Sequence, residues 1–102
     1  MQTITAEELK ARLDKHEQIN LIDVREPAEH ADFNIGGILL PLGQILSMQA
    51  DEIDHLKEAE VICYCRSGQR SMQASLMLET MGFQHVKNLT GGMLGWEEKF
   101  GR

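Results

Sequence analysis

Apolar positions recur along the chain with two different periods. Ala6, Leu9 and Leu13 stand three and four residues apart behind Thr5 and Glu8, a capping-box pair, and predict a helix over residues 6–15. "QINLIDV", residues 18–24, is a short apolar run ending in a charged cluster, as a buried strand does when it delivers its C-terminal end to a loop. "REPAEHADF" sets Pro27 among acids and predicts a brief helical turn over 27–31. After Gly36 and Gly37, "ILLPL", residues 38–42, reads as a second strand that Pro41 pushes towards an edge or an end. Leu42, Ile45, Leu46, Ile53 and Leu56 then suit short helices over 42–49 and 51–57. "EVICY", residues 60–64, is the clearest strand. Ala74, Met77, Leu78 and Met81 follow at i, i+3, i+4 and i+7, with Gly82 placed to end a helix. "HVKNL" is a last strand, and "GGMLGWEEKF" a last short helix behind paired glycines.

Strands alternating with helices, several of them apolar throughout, imply an α/β domain: a small, mainly parallel β-sheet with helices on both faces. Such sheets bind ligands outside the carboxyl ends of their strands, where "DVRE" and "CRSGQR" both fall. The 102 residues suit one domain over 1–102, able to bury roughly two-thirds of its unfolded surface. Aromatics make up only 5% of the chain, so Leu, Ile, Val, Met and Ala must build the core. The net charge of -6 argues against nucleic acid and anionic membrane, which require clustered Lys and Arg. With no secretory signal pattern and no apolar run near the ~20 residues of a bilayer span, a cytoplasmic protein is the expectation.

The chemistry gathers at Cys65. It ends a buried strand, and Gln69 or Arg70 begins a helix, so the residues between form a tight loop at a helix N-terminus. Successive N–H groups of such a loop make an anion nest, and the helix adds partial positive charge. Arg66 and Arg70 raise the potential further. A cysteine there should titrate at ~3.5–7.5, not ~8.5, and be a thiolate at neutral pH. Gly68 permits a positive φ or a close approach, and Ser67 and Ser71 can donate to whatever sits inside. Cys63, two positions earlier, reads as a small core hydrophobe, with a resolving thiol as the alternative. A bridge between these two cysteines would be strained, and a metal site would need further ligands at a spacing that no histidine supplies.

Cys65-Arg66-Ser67-Gly68-Gln69-Arg70 resembles the active-site loop of the rhodanese family of sulfurtransferases. "LIDVREPAEH" resembles the family's first signature and "NLTGGMLGW" its closing one, in the right order and over almost the whole chain. The resemblance implies a rhodanese-like fold and a thiosulfate sulfurtransferase that needs no cofactor and no metal. Cys65 would take a sulfane sulfur from a donor such as thiosulfate as a persulfide, and pass it to cyanide or a thiol. Related phosphatases and arsenate reductases place five residues between cysteine and arginine. Cys65 and Arg70 have four between them, a smaller cradle suited by family analogy to one sulfur atom. The chain departs from the family at Phe33-Asn34-Ile35-Gly36-Gly37, where many members carry a glycine-histidine-isoleucine-proline-glycine turn, and at His30, often a tyrosine.

Within this reading Arg66, Ser67, Gly68, Gln69 and Arg70 bind substrate, and Asp23, Arg25 and Ser71 support the site. Arg70 is expected to point into the loop and stiffen it, with support of the helix start as the other role. Arg66 either faces the entrance and meets the anionic donor or is solvated. Asp23 and Arg25 read as a structural ion pair or loop cap before they read as catalytic. The expected partners are a small-molecule sulfur donor and acceptor or a thiol-bearing protein, for a monomer or weak homo-oligomer. The alternative function is a sulfur-carrier or redox-sensing interaction module with little turnover of its own.

Overall fold

The computed structural model describes residues 1–102. Five strands, β1 (Gln2–Ile4), β2 (Asn20–Asp23), β3 (Ile38–Leu39), β4 (Glu60–Tyr64) and β5 (His85–Leu89), form one sheet in the order β1-β5-β4-β2-β3. Every neighbouring pair is parallel. The connections carry helices α1 (Ala6–Asp14), α2 (Pro27–Asp32), α3 (Leu42–Leu46), α4 (Gln69–Thr80) and α5 (Gly92–Phe100), with a 3-10 helix over Asp51–Leu56. No helix is long and apolar enough to cross a membrane.

The sequence signals act where they were read. Thr5 accepts the Glu8 N–H at 3.1 Å, while the Thr5 N–H donates to the Glu8 carboxylate at 3.0 Å, so the capping box starts α1. β4 lies in the middle of the sheet, and its alternation feeds two cores. Val61, Cys63 and Cys65 pack on one face with Ile45, Ile53, Ala74 and Leu78. Ile62 and Tyr64 pack on the other with Leu9, Met93 and Trp96. Both faces of β4 are covered, which explains its unbroken apolar run.

Three expectations change. β1 is a strand that the pattern does not announce: only Ile4 of its three residues is buried, and it forms because β5 offers it an edge, pairing Ile4 with Leu89. The helix expected over 42–49 stops at Leu46, and Met48 turns the chain at a φ of 61°. The segment expected as a helix over 51–57 is a 3-10 helix with three acids in its first turn. Pro41 follows the two-residue β3, which lies at the sheet edge as expected.

Candidate active site

The parallel ladders bring three strand ends together. Asp23 is level with Tyr64, and Cys63 with Asn88, so the chain leaving β2, β4 and β5 crosses one end of the sheet. Cys65 follows β4 directly and has no exposed surface. Its Sγ accepts from the Gly68 N–H at 3.1 Å, the Ser71 N–H at 3.3 Å and the Ser71 hydroxyl at 3.4 Å. Burial alone pushes the thiol up. These donors, with the Ser67 N–H, outweigh it and hold Cys65 below its ordinary value. Cys63 lacks such a ring: burial pushes it up to about 12, only partly offset by the Ser75 hydroxyl, which leaves it a core thiol.

Two glycines make this geometry possible. Gly68 caps α4 with a φ of 104°, which turns its N–H onto the sulfur. Gly92 opens α5 against the back of the loop: a Cβ there would meet the Cys65 carbonyl oxygen at 2.5 Å and the Arg66 carbonyl oxygen at 2.6 Å. The approach lets the Met93 N–H donate to the Cys65 carbonyl and the Leu94 N–H to the Arg66 carbonyl, both at 2.9 Å. Two unpaired donors of the α5 N-terminus are thereby satisfied, and the carbonyls they hold are fixed on the side away from the nest.

The remaining site residues fall into two groups. Ser71 is buried, Ser67 and Gln69 are exposed, and Arg66 is the one arginine of five that has no carboxylate partner. Arg70 does not direct its guanidinium into the loop as the sequence suggests. Its Nη1 and Nη2 donate to the two carboxylate oxygens of Glu29 on α2, at 2.8 and 2.9 Å. The Arg70 charge still acts on Cys65 through space. Asp23 and Arg25 form a buried pair: Asp23 Oδ1 accepts from the Arg25 N–H and Nε, and Oδ2 from Arg25 Nη2 and lies 2.8 Å from His30 Nδ1. Arg25 also donates to the Phe33 carbonyl, so the pair ties the chain after β2 to the end of α2. No cluster of His, Cys, Asp and Glu suited to a metal ion is present.

A cleft of about 150 Å³ beside the loop is lined by Arg66, Arg25, Glu29 and Leu94 among others. The larger cleft, about 420 Å³, lies at the opposite end of the strands near Gln2, Glu60 and His85, and no cysteine lines it. Sequence reasoning missed Asn88, which contacts Gly68 and Ser71, and the Glu29 clamp on Arg70. The available signal for the first was its place between Val86 and Leu89, at the strand end beside the "TGG" turn. The Gly91-Gly92 pair signalled the docking of α5.

The profile of the rhodanese-like domain matches residues 5–99. The chain is 40% identical over 94 residues to a sulfurtransferase of Allochromatium vinosum, a match covering 91% of this chain and 85% of that protein. It is 35% identical over 97 residues to a putative sulfur carrier protein of Bacillus subtilis, YrkF, covering 94% of this chain and 51% of that one. The human single-domain sulfurtransferase TSTD1 superposes with a TM-score of 0.82 at 25% identity, covering 97% of each chain. The cysteine at a strand end, ringed by loop donors, thus sits in a chain that belongs to the rhodanese-like domain family, with sulfur transfer as its general chemistry.

Proposed function

We propose that the protein is a thiosulfate sulfurtransferase in which Cys65 alternates between thiolate and persulfide. The thiolate attacks the outer sulfur of thiosulfate, the sulfur–sulfur bond of the donor breaks, and sulfite leaves with the electron pair. The negative charge then rests on the outer sulfur of Cys65. Cyanide or a thiolate attacks that atom, takes it away as thiocyanate or a new persulfide, and restores the Cys65 thiolate. No proton donor is needed in either step, and the charge stays within the loop.

The observation that carries this reading is the ring of donors on Sγ from Gly68 and Ser71. It favours the thiolate over the thiol without a metal, and the same inward-facing N–H groups suit a displaced anionic sulfur. Arg66, unpaired at the adjacent cleft, suits an anionic donor. The test is intact mass after treatment with thiosulfate and removal of free donor. Wild type and Cys63→Ser should gain one sulfur atom that cyanide removes, and Cys65→Ser none. A gain by Cys65→Ser would overturn the assignment.

The likeness to a protein named as a putative sulfur carrier favours a second reading, in which Cys65 loads from a protein partner and turns over little with small molecules. Steady turnover with thiosulfate and cyanide supports the enzyme; stoichiometric loading without turnover supports the carrier.

A further inference from the structure

Asn88, the fourth residue of β5, is 3% exposed and is the only buried amide side chain. Its Nδ2 donates to the Gly68 carbonyl at 3.1 Å, which fixes the amide's orientation, because the reversed amide would set two acceptors against each other. Its Oδ1 therefore faces the Ser71 hydroxyl in a short contact. The same hydroxyl lies 3.2 Å from the Gly68 carbonyl and 3.4 Å from Cys65 Sγ. A hydroxyl carries one proton, so three acceptors compete for it.

The winner depends on the charge of the sulfur. When Cys65 is the neutral thiol, its own S–H can turn to Ser71 Oγ, and the Ser71 proton rests on Asn88 Oδ1. When Cys65 is the thiolate, Sγ accepts only and, being charged, outcompetes a neutral carbonyl. The hydroxyl then turns to sulfur, and Asn88 Oδ1 loses its donor. When Cys65 carries a second sulfur, the charge moves to the outer atom and Sγ becomes a neutral, weak acceptor. The proton returns to Asn88.

We propose that Asn88 is a positioning residue of this site, holding the Ser71 proton whenever Sγ is uncharged and yielding it when the thiolate forms. The part concerning the loaded state rests on the sulfur-transfer reading above, whereas the part concerning thiol and thiolate needs no sulfur donor. Asn88 gives the buried hydroxyl an acceptor when Sγ is uncharged, whereas in the thiolate state its Oδ1 goes without a donor, so its presence stabilises the thiol and the persulfide relative to the thiolate. Removing Asn88 should therefore favour the thiolate over both the thiol and the persulfide.

The other groups around Sγ stay constant in the test. Arg70, paired with Glu29, acts on it through space from α4, Arg66 is its neighbour in the loop, and Cys63 and Tyr64 precede it on β4. Asp23 on β2 and Glu29 on α2 are each engaged by an arginine, and α5 presents backbone amides.

The experiment is a double-mutant cycle read by the pH dependence of Cys65 alkylation, in wild type, Asn88→Ala, Ser71→Ala and the double variant. Asn88→Ala should lower the apparent pKa of Cys65 by roughly half a unit to one unit more when Ser71 is present than when it is alanine. A residue that merely braced the Gly68 carbonyl would shift both backgrounds equally. A difference of zero, or one of opposite sign, overturns the proposal. Asn88→Leu, close in volume and without the acceptor, carries the same expectation if the alanine variant does not fold. In thiosulfate and sulfite together, the loaded fraction by intact mass should also fall in Asn88→Ala, and an unchanged or larger fraction overturns the loaded half. Failure of wild type to load at all would count against the sulfur-transfer reading and the loaded half with it, while the alkylation cycle still decides where the proton sits.

Discussion

Arg70 and Glu29 meet as a bidentate pair that joins the first turn of α4 to α2. The pair holds Glu29 down to about 2, chiefly through the Arg70 hydrogen bonds. A carboxylate whose folded pKa lies below its ordinary 4.5 stabilises the fold above that value and loses the contribution as pH falls towards 2. Both side chains are about a third exposed, 34% and 31%, so solvent screens the pair to about 1 kcal/mol or less. Urea midpoints of wild type and Arg70→Gln should differ slightly near neutral pH and converge as pH falls through that window. A constant gap down to the acid limit would remove Glu29 as the cause.

The two cysteines should separate cleanly by reactivity. Neither thiol has exposed surface, yet iodoacetamide at neutral pH should modify Cys65 and leave Cys63 untouched until the protein is unfolded, because the Cys63 thiol is held near 12 while the donors on Sγ hold Cys65 below its ordinary value. Peptide mapping of the labelled protein checks this. Labelling of Cys63 at the same rate would mean that the β4 core opens on the timescale of the reaction.

Gly92→Ala should damage both stability and chemistry, since its Cβ would press on the Cys65 and Arg66 carbonyls from a φ of 54°. A cost of about 2–4 kcal/mol is expected, from strain at a positive φ together with a backbone clash. The alkylation rate at neutral pH should fall in the folded fraction. Gly95→Ala, with nothing within 4 Å of the added carbon, is the matched control in the same helix and should be neutral or slightly stabilising.

Arg66→Ala should raise KM for thiosulfate several-fold while changing kcat less. An exposed charge typically contributes up to about 1 kcal/mol to such an encounter. The salt dependence of kcat/KM should flatten in the variant. An unchanged KM and an unchanged salt slope would leave Arg66 a solvated side chain.

Asp23→Asn should act on the fold. It leaves Arg25 buried with its partner neutralised, a change of about 3–5 kcal/mol for a pair this enclosed. Activity corrected for the folded fraction should stay within a few-fold of wild type. A large loss in fully folded protein would place Asp23 in the reaction itself.

What could be read from the sequence was local. The capping box of α1, the alternation of β4 and the helical spacing of Ala74, Met77 and Leu78 each lie within one element, and each element formed where its pattern stood. The position of Cys65 at a strand end follows from the same local logic. What was hidden depends on distant partners. β1 exists because β5 has a free edge, Arg70 turns outward because Glu29 is there to receive it, and Asn88 gains its role from two residues on another element. An arginine beside a cysteine carries no mark of the carboxylate that will claim it.

The docking of α5 onto the cysteine loop has a consequence for how the protein is made. The loop is synthesised well before Gly92, Met93 and Leu94, so a growing chain holds the whole cysteine motif while the amides that bind its carbonyls do not yet exist. Until they arrive, the Cys65 and Arg66 carbonyls are not held, the donors from Gly68 and Ser71 are not fixed on the sulfur, and the thiol should titrate closer to an ordinary cysteine and react more slowly. Docking of α5 and settling of the cysteine loop are thus one event. A fragment ending before α5 would carry every residue of the motif and little of its chemistry, and supplying α5 as a separate peptide should switch the cysteine on.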